Sequence, residues 1–233
     1  MSFALNYHRW IIDSFAPYLG ETTAEVGAGV GSVSKLLLGT GIRRLFAFEP
    51  SPNMFPLLEE ELRPERRARA LNEFFSPRTA EENFDSVVYI NVLEHIQDDR
   101  TELTNALETL RPEGHLLLFV PALEWLYSDF DKQIGHFRRY TKRGLSGLVR
   151  DVGFTLVRAQ YFDLAGIIPW YVNYVLLRNS MRSAGVSLYD RFVVPIMKPL
   201  ESVVTPPIGK NVLLIGKKSA NKRIQSTCFG VRH

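Results

Sequence analysis

Thr22-Thr23-Ala24-Glu25-Val26-Gly27-Ala28-Gly29-Val30-Gly31 joins a short strand-like run to three alternating glycines. The run Thr22 to Val26 predicts a strand. The residues after the glycines predict a helix with Val33, Leu36 and Leu37 on one side and Gly39 and Gly41 as stop signals. Glycine lets backbone approach a ligand closely, and a helix N-terminus offers free N–H groups. Leu45 to Phe48 reads as the next strand and ends on Glu49, 20 residues after Gly29. A carboxylate there can accept hydrogen bonds from both hydroxyls of a ribose. Glycine loop, strand context and spaced acid together point to a cofactor of the adenosine type. The competing reading is a tight strand-to-helix turn with a solvated Glu49.

The dinucleotide fingerprint G-x-G-x-x-G is not met. The third glycine comes one position early and Ser32 stands where the fingerprint wants glycine, which weakens a nicotinamide reading. There is no G-x-x-x-x-G-K-[ST], so a nucleoside-triphosphate loop is not expected.

Outward from the loop, strands and helices alternate. Asn6 to Leu19 predicts an opening helix, limited by Pro17 and Gly20. Ser51 is expected to cap a helix with Pro52 in its first position. Further strands are expected at Arg69–Leu71, Phe84–Ile90, Leu116–Val120, Thr155–Tyr161 and Asn211–Ile215. Helices are expected from Asp98 or Asp99 and, capped by Thr141, up to Gly153. Arg111 to Gly114 reads as a turn. Seven strands alternating with helices imply an α/β fold, a mainly parallel sheet with helices on both faces. The segment 163–210 between the last two strands is 48 residues long and holds 5 of the 13 prolines. A bare hairpin needs only about 2–5 residues, so this is read as a folded insertion.

The 233 residues are 45% apolar and 23% charged, which excludes a disordered polar chain or a low-complexity fibre. The single cysteine, Cys228, excludes an internal disulfide framework and fits a reducing compartment. The net charge of +3 comes from a tail: 217–233 carries five basic residues and no acid, leaving 23 basic against 25 acidic residues in the body. Nucleic-acid domains usually carry their charge on the fold, so nucleic acid is not an expected partner. The chain therefore reads as one domain, 1–216, followed by a basic tail, 217–233, expected to be mobile. No secretory signal is expected, and Leu164–Leu177, at 14 residues with Pro169 inside, is too short to span a membrane. A cytoplasmic location follows as an expectation, with peripheral membrane contact left open.

At this point the sequence resembles class I S-adenosylmethionine-dependent methyltransferases, over roughly residues 4–160 with Asn211–Lys217 as the closing strand. The resemblance is carried by Ala24-Glu25-Val26-Gly27-Ala28-Gly29-Val30-Gly31, by Phe48-Glu49-Pro50-Ser51, by Phe84-Asp85 with Asn91-Val92-Leu93-Glu94-His95-Ile96, and by Leu110-Arg111-Pro112-Glu113-Gly114. Glu113 stands where that family usually has a second glycine. Asp131 to Tyr140 resembles a bacterial subgroup often found near polysaccharide and glycolipid genes. The resemblance implies a Rossmann-like sheet with S-adenosylmethionine as cofactor. It implies that Gly27, Ala28 and Gly29 pass under the methionine part, with Glu25 near its amino group. Glu49 would hold the ribose and Pro50 would lie against the adenine edge. Asn72, Glu73 and Phe74 would serve the adenine, with their register open, and Asn91, Val92 and Leu93 would border the methionine end. Tyr7 and Trp10 are read either as closing over the cofactor or as helix packing.

If the acceptor is a hydroxyl, a general base helps, and histidine suits neutral pH. His136, in the loop after the fifth strand, is the first choice, and His95, after the fourth, is the second. Each also reads as a residue that only ties its loop down. Arg138, Arg139, Lys142 and Arg143 form a basic cluster that could meet an anionic acceptor or a salt-bridged face. Arg139, Tyr140 and Trp170 are the expected substrate contacts. No histidine or carboxylate cluster shows metal-ligand spacing in the sequence. The expected function is methylation of a small molecule, O-methylation of a saccharide, glycolipid or other partly apolar metabolite. The alternatives are a non-catalytic cofactor-binding module or partner subunit, a nicotinamide-dependent oxidoreductase and a nucleic-acid methyltransferase.

Overall fold

The computed structural model describes residues 4–178 and 183–220. α1 (Leu5–Phe15) ends in a 3₁₀ turn at Ala16–Tyr18, earlier than the periodicity suggests because Pro17 lies in that turn. The chain continues through β1 (Thr22–Val26), α2 (Ser32–Leu38), β2 (Arg44–Phe48), α3 (Phe55–Leu62), β3 (Ala68–Leu71) and β4 (Phe84–Ile90). Then come α4 (Asp99–Thr109), β5 (Leu110–Pro121), α5 (Asp129–Gln133), α6 (Lys142–Val152) and β6 (Thr155–Phe162). The insertion holds α7 (Ile167–Trp170), α8 (Ser183–Leu188) and α9 (Val194–Val203), and β7 (Asn211–Lys217) closes the sheet.

The sheet order is β3-β2-β1-β4-β5-β7-β6. The first five strands pair in parallel, and β7 runs antiparallel between β5 and β6. The order reverses between β1 and β4, so the loops after these two strands open a crevice at one sheet edge. Both faces are covered. Val87, Tyr89, Leu116 and Leu118 face one core with Leu103 and Leu145, whereas Val88, Leu117 and Phe119 face another with Ile11 and Leu37. This two-sided burial is why the middle strands read as unbroken apolar runs.

Several local expectations change. Ser51 does not cap a helix side-chain-first: its carbonyl accepts from the Met54 and Phe55 amides, and α3 begins at Phe55 with Pro56 in its first turn. The Arg111–Gly114 turn is an irregularity inside β5, where the pairing jumps from Phe84–Leu110 to Ser86–His115. Glu113 there has φ 68°, the left-handed region that favours glycine. The last strand also runs further than expected. Lys217 belongs to β7 and pairs with Glu113, and the Lys218 amide donates to Gly114 O at 2.9 Å. The tail positions from 221 onward lie outside the described residues.

Three buried acids fasten the insertion to the domain. Asp190 accepts from the Asn6 and Tyr7 amides at 3.1 and 2.8 Å, satisfying free N–H groups in the first turn of α1. Glu201 accepts from the Asp163 and Leu164 amides at 3.0 and 2.9 Å. Asp163 pairs with Lys210 at 2.9 Å and takes the hydroxyls of Tyr7 (3.0 Å) and Tyr189. Burial pushes the Asp163 pKa up, but the Lys210 ammonium and these hydroxyls outweigh it and hold the carboxyl below its ordinary value. Asp163→Ala leaves Lys210 without its partner. Breaking such a buried pair costs about 3–5 kcal/mol, so the melting temperature is expected to fall by roughly 10 °C. Differential scanning calorimetry checks this, and a fall no larger than that of an exposed control such as Asp151→Ala would contradict it.

Candidate active site

The glycine loop turns back on the end of β2. The Gly27 and Ala28 amides both donate to Phe48 O, at 2.8 and 3.0 Å. Gly27 has φ 67°, and a Cβ there would lie 2.6 Å from the Val92 side chain. Only glycine lets this loop meet the loop after β4. Gly29 has φ 59°, and a Cβ built on it would find nothing within 4 Å. That open side lies at the mouth of the crevice. Glu49 stands beside it: one carboxylate oxygen accepts from the Gly29 amide at 2.7 Å, the other from the Ser51 amide at 2.9 Å. Asn72 donates to Glu49 O at 2.8 Å. Glycine loop, Glu49, Pro50 and Asn72 are thus one unit.

The neighbours of Asn72 divide. Glu73 and Phe74 are exposed, and Phe75 instead turns into the core against Phe48, 5.1 Å between ring centroids. The doubled phenylalanine hid this register. After β4, Asn91 takes φ 53° and its amide donates to Phe119 O at 2.8 Å. Val92 lies on the glycine loop, whereas Leu93 is fully buried in the core. Tyr7 and Trp10 pack with Phe162 beneath the insertion, Trp10 buried, which is helix packing.

Glu25, on β1, is buried with a bond from Ser34 Oγ at 2.5 Å. Burial pushes its pKa up to about 8, against the Ser34 bond and with help from the Glu49 charge. A buried acid with a single hydrogen bond, an open space over Gly29 and a ribose-competent Glu49 fit an amino-acid-bearing adenosine cofactor.

Beyond this unit lies a histidine pair. His136 Nδ1 sits 2.8 Å from Asp131 Oδ1, and Asp131 also binds Arg139 (Nη2 at 2.9 Å) and the Ser128 amide (2.9 Å). The rings of His136 and His95 meet edge to face, 4.6 Å between centroids. His136 is nearly covered, its side chain 7% exposed, whereas His95 is exposed. Burial lowers the His95 pKa, the charge of His136 lowers it further, and a hydrogen bond with the Gly135 backbone opposes both. Glu94 is fully buried, and neither of its carboxyl oxygens has a partner. Burial pushes its pKa up to about 8 against the Arg139 charge. Its Oε1 lies 3.8 Å from His136 Nε2. Glu94, His95 and His136 each bring one possible metal-ligating atom within 4.8 Å of the others. Sequence spacing gives no sign of this group, because His136 follows 41 positions after His95. The role of Asp131 was missed as well; the Ser128-x-x-Asp131 helix-start pattern was its one local signal.

Of the remaining expected contacts, Arg139 and Tyr140 turn inward and Trp170 is half-buried. Arg139 is buried, bonded to Asp131 and Ala122 O, with its guanidinium 4.6 Å from the centre of the Trp170 ring. Arg138 pairs with Asp99 at 2.7 Å. Tyr140 is buried and donates to Asp99 at 3.0 Å. Arg138, Arg139 and Tyr140 are therefore committed to holding the loop, not presented to an anion. Trp170 donates to Leu126 O at 3.2 Å and packs with Phe130 and Tyr174, joining the insertion to the loop after β5.

A family model described as a methyltransferase domain matches residues 15–159. Among curated proteins none matches. Similar solved structures include a chain of the complex between the Haloferax volcanii Trm112 methyltransferase activator and a methyltransferase, at TM-score 0.63 and 16% identity, over 93% of this chain and 92% of that one. The N-methyltransferase NodS from Bradyrhizobium japonicum, solved with S-adenosylhomocysteine, is similar at TM-score 0.60 and 14% identity, over 93% and 87%. An O-methyltransferase family protein from Burkholderia thailandensis is similar at TM-score 0.60 and 14% identity, over 91% of this chain and 56% of that one. Loop, acid, strand order and family match agree: the chain belongs to the methyltransferase-domain family, as a class I enzyme whose cofactor is S-adenosylmethionine.

Proposed function

We propose that the enzyme methylates a hydroxyl of a small, partly apolar acceptor such as a glycolipid or lipid-linked sugar. The observation that carries this is His95: an exposed imidazole with a lowered pKa, seated on the Asp131–His136 pair, its own amide donating to the carbonyl of Val92, the residue that meets Gly27. S-adenosylmethionine, when bound, supplies a methyl group already activated by its sulfonium. The residues of this chain then have three tasks. Gly27, Gly29 and Glu49 hold and orient the cofactor. His95 takes the proton of the acceptor hydroxyl at its free ring nitrogen, which is unprotonated at neutral pH. His136 positions it, held through Nδ1 by Asp131. The aromatic wall of Trp125, Trp170, Tyr171 and Tyr174 takes the apolar part of the acceptor and keeps water out. Incubation with methyl-labelled cofactor and a panel of amines, free sugars and glycolipids tests this. Label in an O-methyl ether of the glycolipids is expected; label on nitrogen, or on free sugars alone, would overturn it.

Glu25 adds a pH dependence. Its carboxyl keeps its proton below about pH 8 in the free enzyme. A cofactor ammonium beside it favours the carboxylate, so binding releases a proton. S-adenosylhomocysteine affinity is then expected to rise more than about tenfold from pH 6.5 to 8.5, levelling off above the pKa. Calorimetric titration in buffers of different ionisation heat reads both the affinity and the proton. A flat profile would show that Glu25 does not meet the ammonium, and Glu25→Gln is expected to abolish the slope.

A further inference from the structure

The insertion is folded with its polarity reversed. Of the 21 large apolar side chains exposed among the described residues, 12 lie between positions 164 and 204. The excess is too concentrated to be scattered surface apolarity. Leu188, Phe192, Ile196 and Leu200 recur every four residues along α8, the π-helical turn at Tyr189–Val193, and α9, and all are exposed. Val203 and Val204 continue the row. The side turned to the protein holds Asp190, Val194 and Glu201, all buried. A second apolar group, Ile168, Tyr171, Val172, Leu176 and Leu177, is exposed on α7 and the turn after it. Trp125, exposed on the neighbouring loop, lies 5.9 Å from Tyr171.

The exposed charge of the insertion itself is one-sided. The insertion has three acids, Asp163, Asp190 and Glu201, and all three are buried and bonded inward. The cations Arg178, Arg191 and Lys198 remain toward the outside. Lys198 reaches Asp13 on α1, and Arg191 lies over Phe192 at 5.5 Å. An apolar row flanked by Arg178 and Arg191, with the insertion's own three acids withdrawn and Asp13 of α1 neutralised by Lys198, is complementary to an anionic lipid surface. The row from Leu188 to Val204 is about 24 Å long at helical rise, which suits a helix lying in the membrane plane. No helix among the described residues is long and apolar enough to cross a membrane.

We infer that the insertion docks the enzyme onto anionic membranes, with α8 and α9 lying in the interface and the aromatic wall beside them open to a lipid-borne acceptor. The choice of acceptor rests on the proposed function; the docking does not. Its test therefore uses neither cofactor nor acceptor. The full chain is mixed with phosphatidylcholine vesicles, with or without about a third phosphatidylglycerol, and bound protein is separated by flotation. Binding to the anionic vesicles is expected, weakened by added salt. Ile196→Glu/Leu200→Glu is expected to bind at least about tenfold more weakly, with an unchanged melting temperature because both side chains are exposed. Arg191→Glu should weaken binding without touching the apolar row. Absence of wild-type binding, or equal binding by the double variant, would overturn the inference. So would a dimer in light scattering that the double variant dissolves while vesicles bind neither form, since a second copy would then own this face.

Discussion

Glu49→Ala is expected to abolish measurable stabilisation by S-adenosylhomocysteine. The wild-type protein at 100 times its dissociation constant should gain about 2.7 kcal/mol. In a chain of this length that raises the melting temperature by roughly 5–11 °C. The Glu49 carboxylate already accepts from the Gly29 and Ser51 amides, one on each oxygen, so its position is fixed before a ligand arrives. Its remaining lone pairs are free for the two ribose hydroxyls. Each charge-assisted bond is worth about 1.5–3 kcal/mol, so losing both should weaken binding by at least about 100-fold. The variant also frees the Gly29 amide, and the loop loses the tie that shapes it. Thermal shift and calorimetric titration read the effect together. A variant that still gains the wild-type stabilisation would show that the ribose lies elsewhere. NAD is expected to shift neither protein.

This half of the site was legible in the sequence because it is local. A glycine loop and an acid at the end of the next strand are fixed by strand pairing: β1 and β2 lie in parallel register, Val26 opposite Phe48, and that places Glu49 beside the loop. The stretch after β3 was only half legible. Phe74 and Phe75 are adjacent and identical, and nothing local says which one the sheet buries. The histidine corner was least legible. Glu94, His95, Asp131, His136 and Arg139 come together only when the loop after β5 folds back over the loop after β4, as Phe137 N donates to Glu94 O at 2.8 Å. Two of the four cations of the basic cluster, Arg138 and Arg139, thereby become an internal brace, whereas Lys142 lies over Tyr161 and Arg143 is exposed. In the insertion the apolar pattern was visible but its direction was not: periodicity marks a face without saying whether protein or something else covers it.

His95→Gln is expected to lower kcat by about 10²-fold or more, the usual worth of a positioned base, with little change in cofactor affinity. The side chain is exposed and makes no structural ion pair with Asp131, so the variant should keep its melting temperature. The wild-type pH profile carries the sign. His95 has a pKa below its ordinary value of 6.5, so it is unprotonated at neutral pH. At saturating cofactor, which removes the Glu25 effect on binding, kcat should be flat from neutral pH upward and fall as pH drops through that lowered pKa. His136→Gln should cost less, because His136 acts through His95, and it should move this pKa upward: its charge is among the causes that depress it. A change in kcat without a change in the profile would leave His136 a merely structural support. A chelator separates the base from the other use of this corner. Activity that survives EDTA with the same profile supports proton transfer to His95. Activity lost to EDTA and restored by a divalent ion would assign Glu94, His95 and His136 to that ion instead. The unpartnered carboxyl of Glu94 would then be a ligand rather than a protonated acid sealed behind the pair.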